Sequence, residues 1–184
     1  CYNCFMKPDK IFIYFHGYGS NCDTPKVQQL KSAFPKDTVH AFNIDVDPRI
    51  SIPHLQKCID NILLTDPNSD EKLVLVGTSL GAWYASRIGK LYAARRIMIN
   101  PAMSPSTSLK RYGVSDEICS QYDELVDADG TYILAEGDEV FDSLQTLNEV
   151  ESIGGKVLMV PGHDHRFAGQ IFIDSVKKEN LQFK

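Results

Sequence analysis

A chain of 184 residues with 43% hydrophobic and 23% charged residues is of the size and composition of one compact domain with a continuous buried core. Its net charge of −5 argues against nucleic acid or an anionic membrane as an obligatory partner, because both are generally met with a basic patch. No run of about 18 uninterrupted apolar residues occurs. The first residues also lack the basic, apolar and small-residue order of a secretory signal, so a cytoplasmic protein without membrane insertion is expected.

Along the chain, short apolar, β-branched or aromatic runs recur: Ile11 to Phe15, Val39 to Ile44, Leu73 to Val76, Arg96 to Asn100, Thr131 to Ala135 and Lys156 to Val160. They read as six strands. Several are nearly continuous in apolar residues, the pattern of a strand covered on both faces, and the intervals between them are long enough for crossover helices. Helices are expected from Lys26 to Ala33, His54 to Leu64, Leu80 to Leu91, Phe141 to Ser152 and Gly169 to Lys178. In the fourth, Phe141, Leu144, Leu147, Val150 and Ile153 recur every third residue, and Gly154-Gly155 offers a stop. The segment 101–130, broken by Pro105 and Gly113, reads as a small cap excursion over the site. With no repeat and no linker, residues 1–184 read as a single α/β domain on a mostly parallel sheet with helices on both faces.

The five cysteines, Cys1, Cys4, Cys22, Cys58 and Cys119, are odd in number and scattered, and read as free thiols. Cys1 and Cys4 form a C-x-x-C pair, but no second pair follows at zinc-ligand spacing, so no metal is expected there. The short basic pairs Arg95-Arg96 and Lys177-Lys178 read as solvated helix ends or strand starts.

The strongest local signal is Gly77-Thr78-Ser79-Leu80-Gly81, which fits G-x-S-x-G between a strand and a helix. A nucleophile on so sharp a turn has its hydroxyl exposed, and Gly77 and Gly81 remove side chains that would collide with neighbouring backbone. The competing reading is a serine that only caps the helix. His16-Gly17-Tyr18-Gly19 follows the first strand as a glycine-rich loop, so the backbone N–H groups of Tyr18 and Leu80 are the candidate oxyanion donors. His16 itself reads as a brace for that loop.

A serine hydroxyl needs a base, and the base an orienting acid. Gly137-Asp138-Glu139-Val140 follows the fifth strand and offers Asp138, with Glu139 and Asp142 as alternatives. The loop Pro161 to Phe167 carries His163 and His165, and spacing does not choose between them. A metal held by His163, Asp164 and His165 is disfavoured because no further histidine or cysteine lies close by in sequence. The order serine, acid, histidine is that of α/β-hydrolases. A strand order of 2-1-3-4-5-6 puts a topological switch point between the strands bearing the His16 loop and Ser79. There is no G-x-G-x-x-G or P-loop after any strand to indicate a nucleotide binder.

These residues resemble the small bacterial esterases of the YqiA/YcfP-like branch of the α/β-hydrolase superfamily. The likeness rests on HGYGSN at 16–21, GTSLGAWYASRIG at 77–89, INPA at 99–102, GDEV at 137–140 and the H-x-F of His165-Arg166-Phe167. It implies a compact six-strand α/β-hydrolase fold with minimal or no lid. It also implies that His165, which precedes the x-F pair, is the base and that Asp138 is the acid. By the same likeness the expected chemistry is hydrolysis of a small-molecule carboxylic ester or thioester, acyl-CoA included, through an acyl-enzyme on Ser79 and without a cofactor. The chain departs from the group's pattern at Gly162-His163-Asp164. Two rivals remain open, amide or peptide hydrolysis on the same scaffold and a binding or regulatory protein without turnover. Trp83 and Tyr84 are expected to pack the helix after Ser79 against the sheet, and segment 101–130 to supply acyl-pocket contacts.

Overall fold

The computed structural model describes residues 10–65 and 72–181. Every residue of β1 (Ile11–Phe15) is buried, as its unbroken apolar run requires of a strand covered on both faces. The side chains alternate: Ile11, Ile13 and Phe15 enter one core cluster, Phe12 and Tyr14 the other. The chain then runs through α1 (Pro25–Ala33), β2 (Thr38–Ala41), α2 (Pro48–Leu63), β3 (Leu73–Thr78), α3 (Leu80–Leu91) and β4 (Arg95–Ile99). After β4 come α4 (Pro105–Lys110), α5 (Asp116–Cys119), β5 (Thr131–Ala135), α6 (Ser143–Ser152), β6 (Lys156–Val160) and α7 (Gln170–Leu181).

All strand pairs are parallel and the order is β2-β1-β3-β4-β5-β6, as expected. Buried residues of α1 and α7 (Val27, Leu30, Phe172, Val176) pack on the face formed by Phe12, Val74, Val76 and Ile97. Those of α2, α3 and α6 (Leu55, Ile59, Ala85, Ile88, Val150) pack on the face formed by Ile13, Leu75, Met98 and Tyr132. The result is a three-layer α/β-hydrolase architecture. Register aligns Phe15 with Gly77, Thr78 with Ile99, and Ala135 with Val160. The residues that follow β1, β3, β4, β5 and β6, namely His16, Ser79, Asn100, Glu136 and Pro161, therefore emerge along one carboxyl edge of the sheet, where open α/β sheets bind ligands.

Some expected boundaries move for local reasons. The strand expected to reach Ile44 stops at Ala41, because the Ile44 amide donates to His16 Nε2 (3.1 Å) rather than to a strand neighbour. The helix expected to start at His54 starts at Pro48. Asp47 caps it by accepting the Arg49 amide (2.9 Å) and Pro48 occupies its first position, while Pro53 stands inside the helix, where it lacks the N–H that would reach the Arg49 carbonyl. The helix expected from Phe141 begins at Ser143, since Asp142 accepts the amides of Leu144 (3.0 Å) and Gln145 (2.9 Å). Its three-residue stripe drifts off the core, leaving Leu144 exposed while Val150 is buried. Arg96 is the clearest departure: far from being solvated, it is buried and paired bidentately with Asp127 at 2.7 and 2.9 Å.

Segment 101–130 is an anchored excursion that carries α4 and α5. Trp83 donates its indole N–H to the Asp123 carbonyl (3.0 Å), and the Tyr122 hydroxyl donates to the Val46 carbonyl (2.6 Å) and lies 3.0 Å from that of Tyr84. Trp83 and Tyr84 are thus buried, packing α3 against the excursion as well as the sheet.

Candidate active site

Ser79 stands between β3 and α3 with φ +54° and ψ −120°, a conformation that costs a non-glycine residue roughly 1–3 kcal/mol and persists only where the surroundings over-determine it. Here they do. The Ser79 amide donates to the Ile99 carbonyl (2.9 Å), and its own carbonyl accepts the amides of Ala82 (3.0 Å) and Ala102 (3.2 Å). A Cβ on Gly77 would overlap the Gly81 carbonyl, and one on Gly81 would overlap the Phe15 carbonyl, so both motif glycines are required by close backbone approach. The Ser79 side chain makes no helix-capping bond, which removes the reading of Ser79 as a mere cap.

Gly17 lies against the serine: a Cβ there would sit 3.2 Å from Ser79 Cβ. The loop that holds it is fixed by His16, which is 5% exposed. Its Nε2 accepts the Ile44 amide (3.1 Å), so the ring proton is on Nδ1 and is donated to the Gly17 carbonyl (2.8 Å). Burial pulls the His16 pKa down, keeping it in this neutral, bracing form. The amides of Tyr18 and Leu80 have no acceptor among the described residues, and both residues line the cleft above Ser79.

At the far side of β5, His165 Nδ1 lies 2.7 Å from Asp138 Oδ2, with the two side chains only 11% and 4% exposed. The other carboxylate oxygen, Asp138 Oδ1, accepts the amides of Val140 (2.8 Å) and Phe141 (2.9 Å), so the carboxylate orientation is set from both ends. Of the alternative acids, Glu139 accepts the backbone amide of His165 (3.0 Å), a bond that lowers its pKa, and Asp142 caps α6. His163 points elsewhere, lining a separate shallow depression with Gly137 and Asp164. His165 and Ser79 share one cleft of about 490 Å³, completed by Leu109 and Tyr112 from the excursion. The Ser79 hydroxyl makes no hydrogen bond to another described residue, His165 included; such contacts commonly tighten only when substrate is bound.

One residue of the arrangement was not singled out from the sequence. Asn100, 3% exposed and itself at φ +42°, donates its side-chain N–H to the carbonyls of His165 (3.0 Å) and Asp164 (3.3 Å). Its side-chain oxygen accepts the Ala135 amide (2.7 Å). It ties the histidine loop to the ends of β4 and β5. The available signal was a polar residue placed between the apolar run Ile97 to Ile99 and Pro101.

Among the described residues, no group of three His, Cys, Asp or Glu is placed to hold a metal ion, and no helix is long and apolar enough to cross a membrane. Cys22, Cys58 and Cys119 are free thiols; Cys1 and Cys4 lie outside the described residues.

A model of the uncharacterised protein family UPF0227 matches residues 11–129, the stretch from β1 to the end of the excursion. The chain belongs to UPF0227. A UPF0227 protein of Vibrio parahaemolyticus is 25% identical over 150 residues, covering 77% of this chain and 83% of the relative. The UPF0227 protein YcfP of Escherichia coli O139:H28 is 31% identical over 102 residues, 54% of this chain and 55% of YcfP. The YcfP-like resemblance expected from the motifs is therefore met. Among solved structures, Est1E from Butyrivibrio proteoclasticus superimposes with a TM-score of 0.73 at 13% identity, over 96% of this chain and 88% of Est1E. XC6422 from Xanthomonas campestris, described as an α/β serine hydrolase without lid, gives 0.70 at 17% identity, over 95% and 82%. At these identities the likeness is one of fold alone: this UPF0227 chain has the α/β-hydrolase fold.

Proposed function

We propose that this UPF0227 protein is a serine hydrolase that cleaves carboxylic esters or thioesters of small molecules, with Ser79 as nucleophile, His165 as base and Asp138 as orienting acid. The observation that carries the reading is the buried 2.7 Å bond between Asp138 and His165, at the wall of the cleft into which Ser79 opens. Because Nδ1 is committed to Asp138, the ring's other nitrogen is the one left to take a proton.

Ser79 Oγ attacks the carbonyl carbon while its proton passes to His165 Nε2, and Asp138 stabilises the imidazolium. The carbonyl π electrons move onto oxygen, where the Tyr18 and Leu80 amides donate to the oxyanion; removing one such donor commonly costs about 10²- to 10³-fold in rate. Collapse expels the alcohol or thiol, which takes the proton from His165, leaving an acyl ester on Ser79. Water deprotonated by His165 then releases the acid and restores the serine. No step needs a metal or organic cofactor.

The test is labelling with a fluorophosphonate probe followed by peptide mass mapping, together with turnover on matched ester, thioester and anilide substrates. Labelling at Ser79 is expected, absent in Ser79→Ala and His165→Ala, with kcat on esters lowered by roughly 10⁴- to 10⁶-fold in either variant. A preference for the anilide would move the assignment to amide hydrolysis. A folded wild-type protein that stays unlabelled and turns over none of the substrates would overturn the reading in favour of a binding protein.

A further inference from the structure

The charge lining the Ser79 cleft has the opposite sign to the chain. The protein carries a net charge of −5, yet the residues around this cleft include two cationic side chains, Lys26 and Arg166, and no aspartate or glutamate. Lys26 sits at the start of α1 and is half-buried; its Nζ lies 6.0 Å from the Phe167 ring centre and 5.7 Å from that of Phe172.

Those two ring contacts lie at the outer limit of a cation–π interaction and do not replace the hydration that a half-buried ammonium loses. No carboxylate compensates directly. Among the described residues, Lys26 forms no ion pair and no side-chain hydrogen bond. Asp164 acts on it favourably through space, but the Asp164 carboxylate accepts the Arg166 amide (2.9 Å) and stands outside the cleft lining. Arg166 acts on Lys26 in the opposite direction, so two like charges are held near each other. Burial is the main cause that brings the Lys26 pKa down to about 8, and the repulsion from Arg166 adds to it. An ordinary surface lysine turns its head to water, and this one stands over apolar rings in the wall of a cleft. Leu109, Val140 and Phe141 give the same cleft an apolar wall.

We propose that the ester or thioester taken by this cleft itself carries an anionic group, a carboxylate or a phosphate, and that Lys26 together with Arg166 binds that group while the apolar wall takes the rest. The proposal rests on the hydrolase reading for its substrate being an ester, but its anion site is testable without turnover.

The first measurement is calorimetric binding to the Ser79→Ala protein of three probes: monomethyl succinate, methyl phosphate and neutral dimethyl succinate. At least one anionic probe is expected to bind about tenfold or more tighter than dimethyl succinate, the range of a hydrogen bond to a charged group, and the better of the two identifies carboxylate or phosphate as the source. In Ser79→Ala/Lys26→Met the advantage is expected to vanish, and Lys26→Arg in the same background to restore most of it. The second measurement is the ratio of kcat/KM for an anionic to a neutral 4-nitrophenyl ester within each of wild type, Lys26→Met and Arg166→Ala; a general loss of activity cancels in that ratio. A fall of about tenfold in Lys26→Met, with a smaller fall in Arg166→Ala, is expected. Equal binding of charged and neutral probes, or a preference that survives Lys26→Met, overturns the proposal. Anion preference without fluorophosphonate labelling of Ser79 removes the hydrolase reading and keeps the anion site, whereas labelling without preference does the reverse.

Discussion

Replacing Asn100 with leucine keeps the branching and heavy-atom count of the side chain, though with bulkier methyl groups, frees the carbonyls of Asp164 and His165, and leaves the Ala135 amide without its acceptor. A buried amide so orphaned costs about 1–3 kcal/mol. Because the histidine loop loses its tie to β4, the His165 ring shifts, and a displacement on the order of 1 Å lowers kcat by about 10²-fold. The checks are thermal melting for the first effect and single-turnover kinetics with a chromogenic ester for the second; full activity in a destabilised protein would refute the positioning role. Lys26 gives a prediction in pH. Asp164 and Arg166 are the charged groups acting on it, and its pKa of about 8 is below the ordinary lysine value, so the ammonium is present below that pH and lost above it. Preference for an anionic over a neutral ester is therefore expected to fall as pH rises through a midpoint at or above about 8, the bound anion moving the midpoint upward. A change of activity common to both esters drops out of the comparison. At this scale the motif residues were legible in the sequence because their spacing is dictated by local backbone geometry. Asn100 was not, since its partners lie 35 and 64–65 residues away and nothing in a linear pattern announces them.

The turn from β3 to α3 leaves no room for side chains at Gly77 and Gly81, and the atoms in the way are backbone. Gly81→Ala forces α3 away from the Phe15 carbonyl and is expected to destabilise the protein by roughly 3 kcal/mol, the upper part of the usual range for overpacking. Denaturant unfolding measures this, and a loss below about 1 kcal/mol would mean that the helix and strand are not so closely apposed. β1 and β5 were legible to the residue, because every residue of each strand is buried. The start of α2 was not, since Pro53 reads as a breaker in sequence but stands inside the helix, whose first turn is set by Asp47 and Pro48. The end of β2 was equally hidden: Phe42, Asn43 and Ile44 continue the apolar pattern, and the bond from Ile44 to His16 that takes them out of the sheet spans 28 residues.

Across the molecule, the reading of residues 1–184 as a single domain predicts one cooperative unfolding transition. The buried Arg96–Asp127 pair joins the start of β4 to the end of the excursion, and Tyr132 adds a hydroxyl bond to the Asp127 carbonyl (3.1 Å). Asp127→Ala leaves the buried guanidinium with only the exposed Asp129 carboxylate, 3.8 Å away, as counter-charge, a loss of about 3–5 kcal/mol. For a chain of this length that lowers Tm by about 10 °C. Calorimetry should show the whole transition moving; a second transition appearing at low temperature would divide the excursion from the sheet. The sheet order was legible from apolar runs and motif order. The pairing of Arg96 was not, because an Arg-Arg step looks the same in sequence whether it faces water or a buried carboxylate. Distant parts of the chain also meet at the mouth of the cleft, where the ring of Tyr18, from the loop after β1, packs 5.3 Å from that of Tyr112, from the excursion. On the proposed mechanism the Tyr18 amide also donates to the oxyanion, so the gatepost and the catalytic amide belong to one residue. On that mechanism an acyl chain bulky enough to part the two rings would pull on that amide as it enters, and discrimination against such a chain would appear as slower turnover more than as weaker capture.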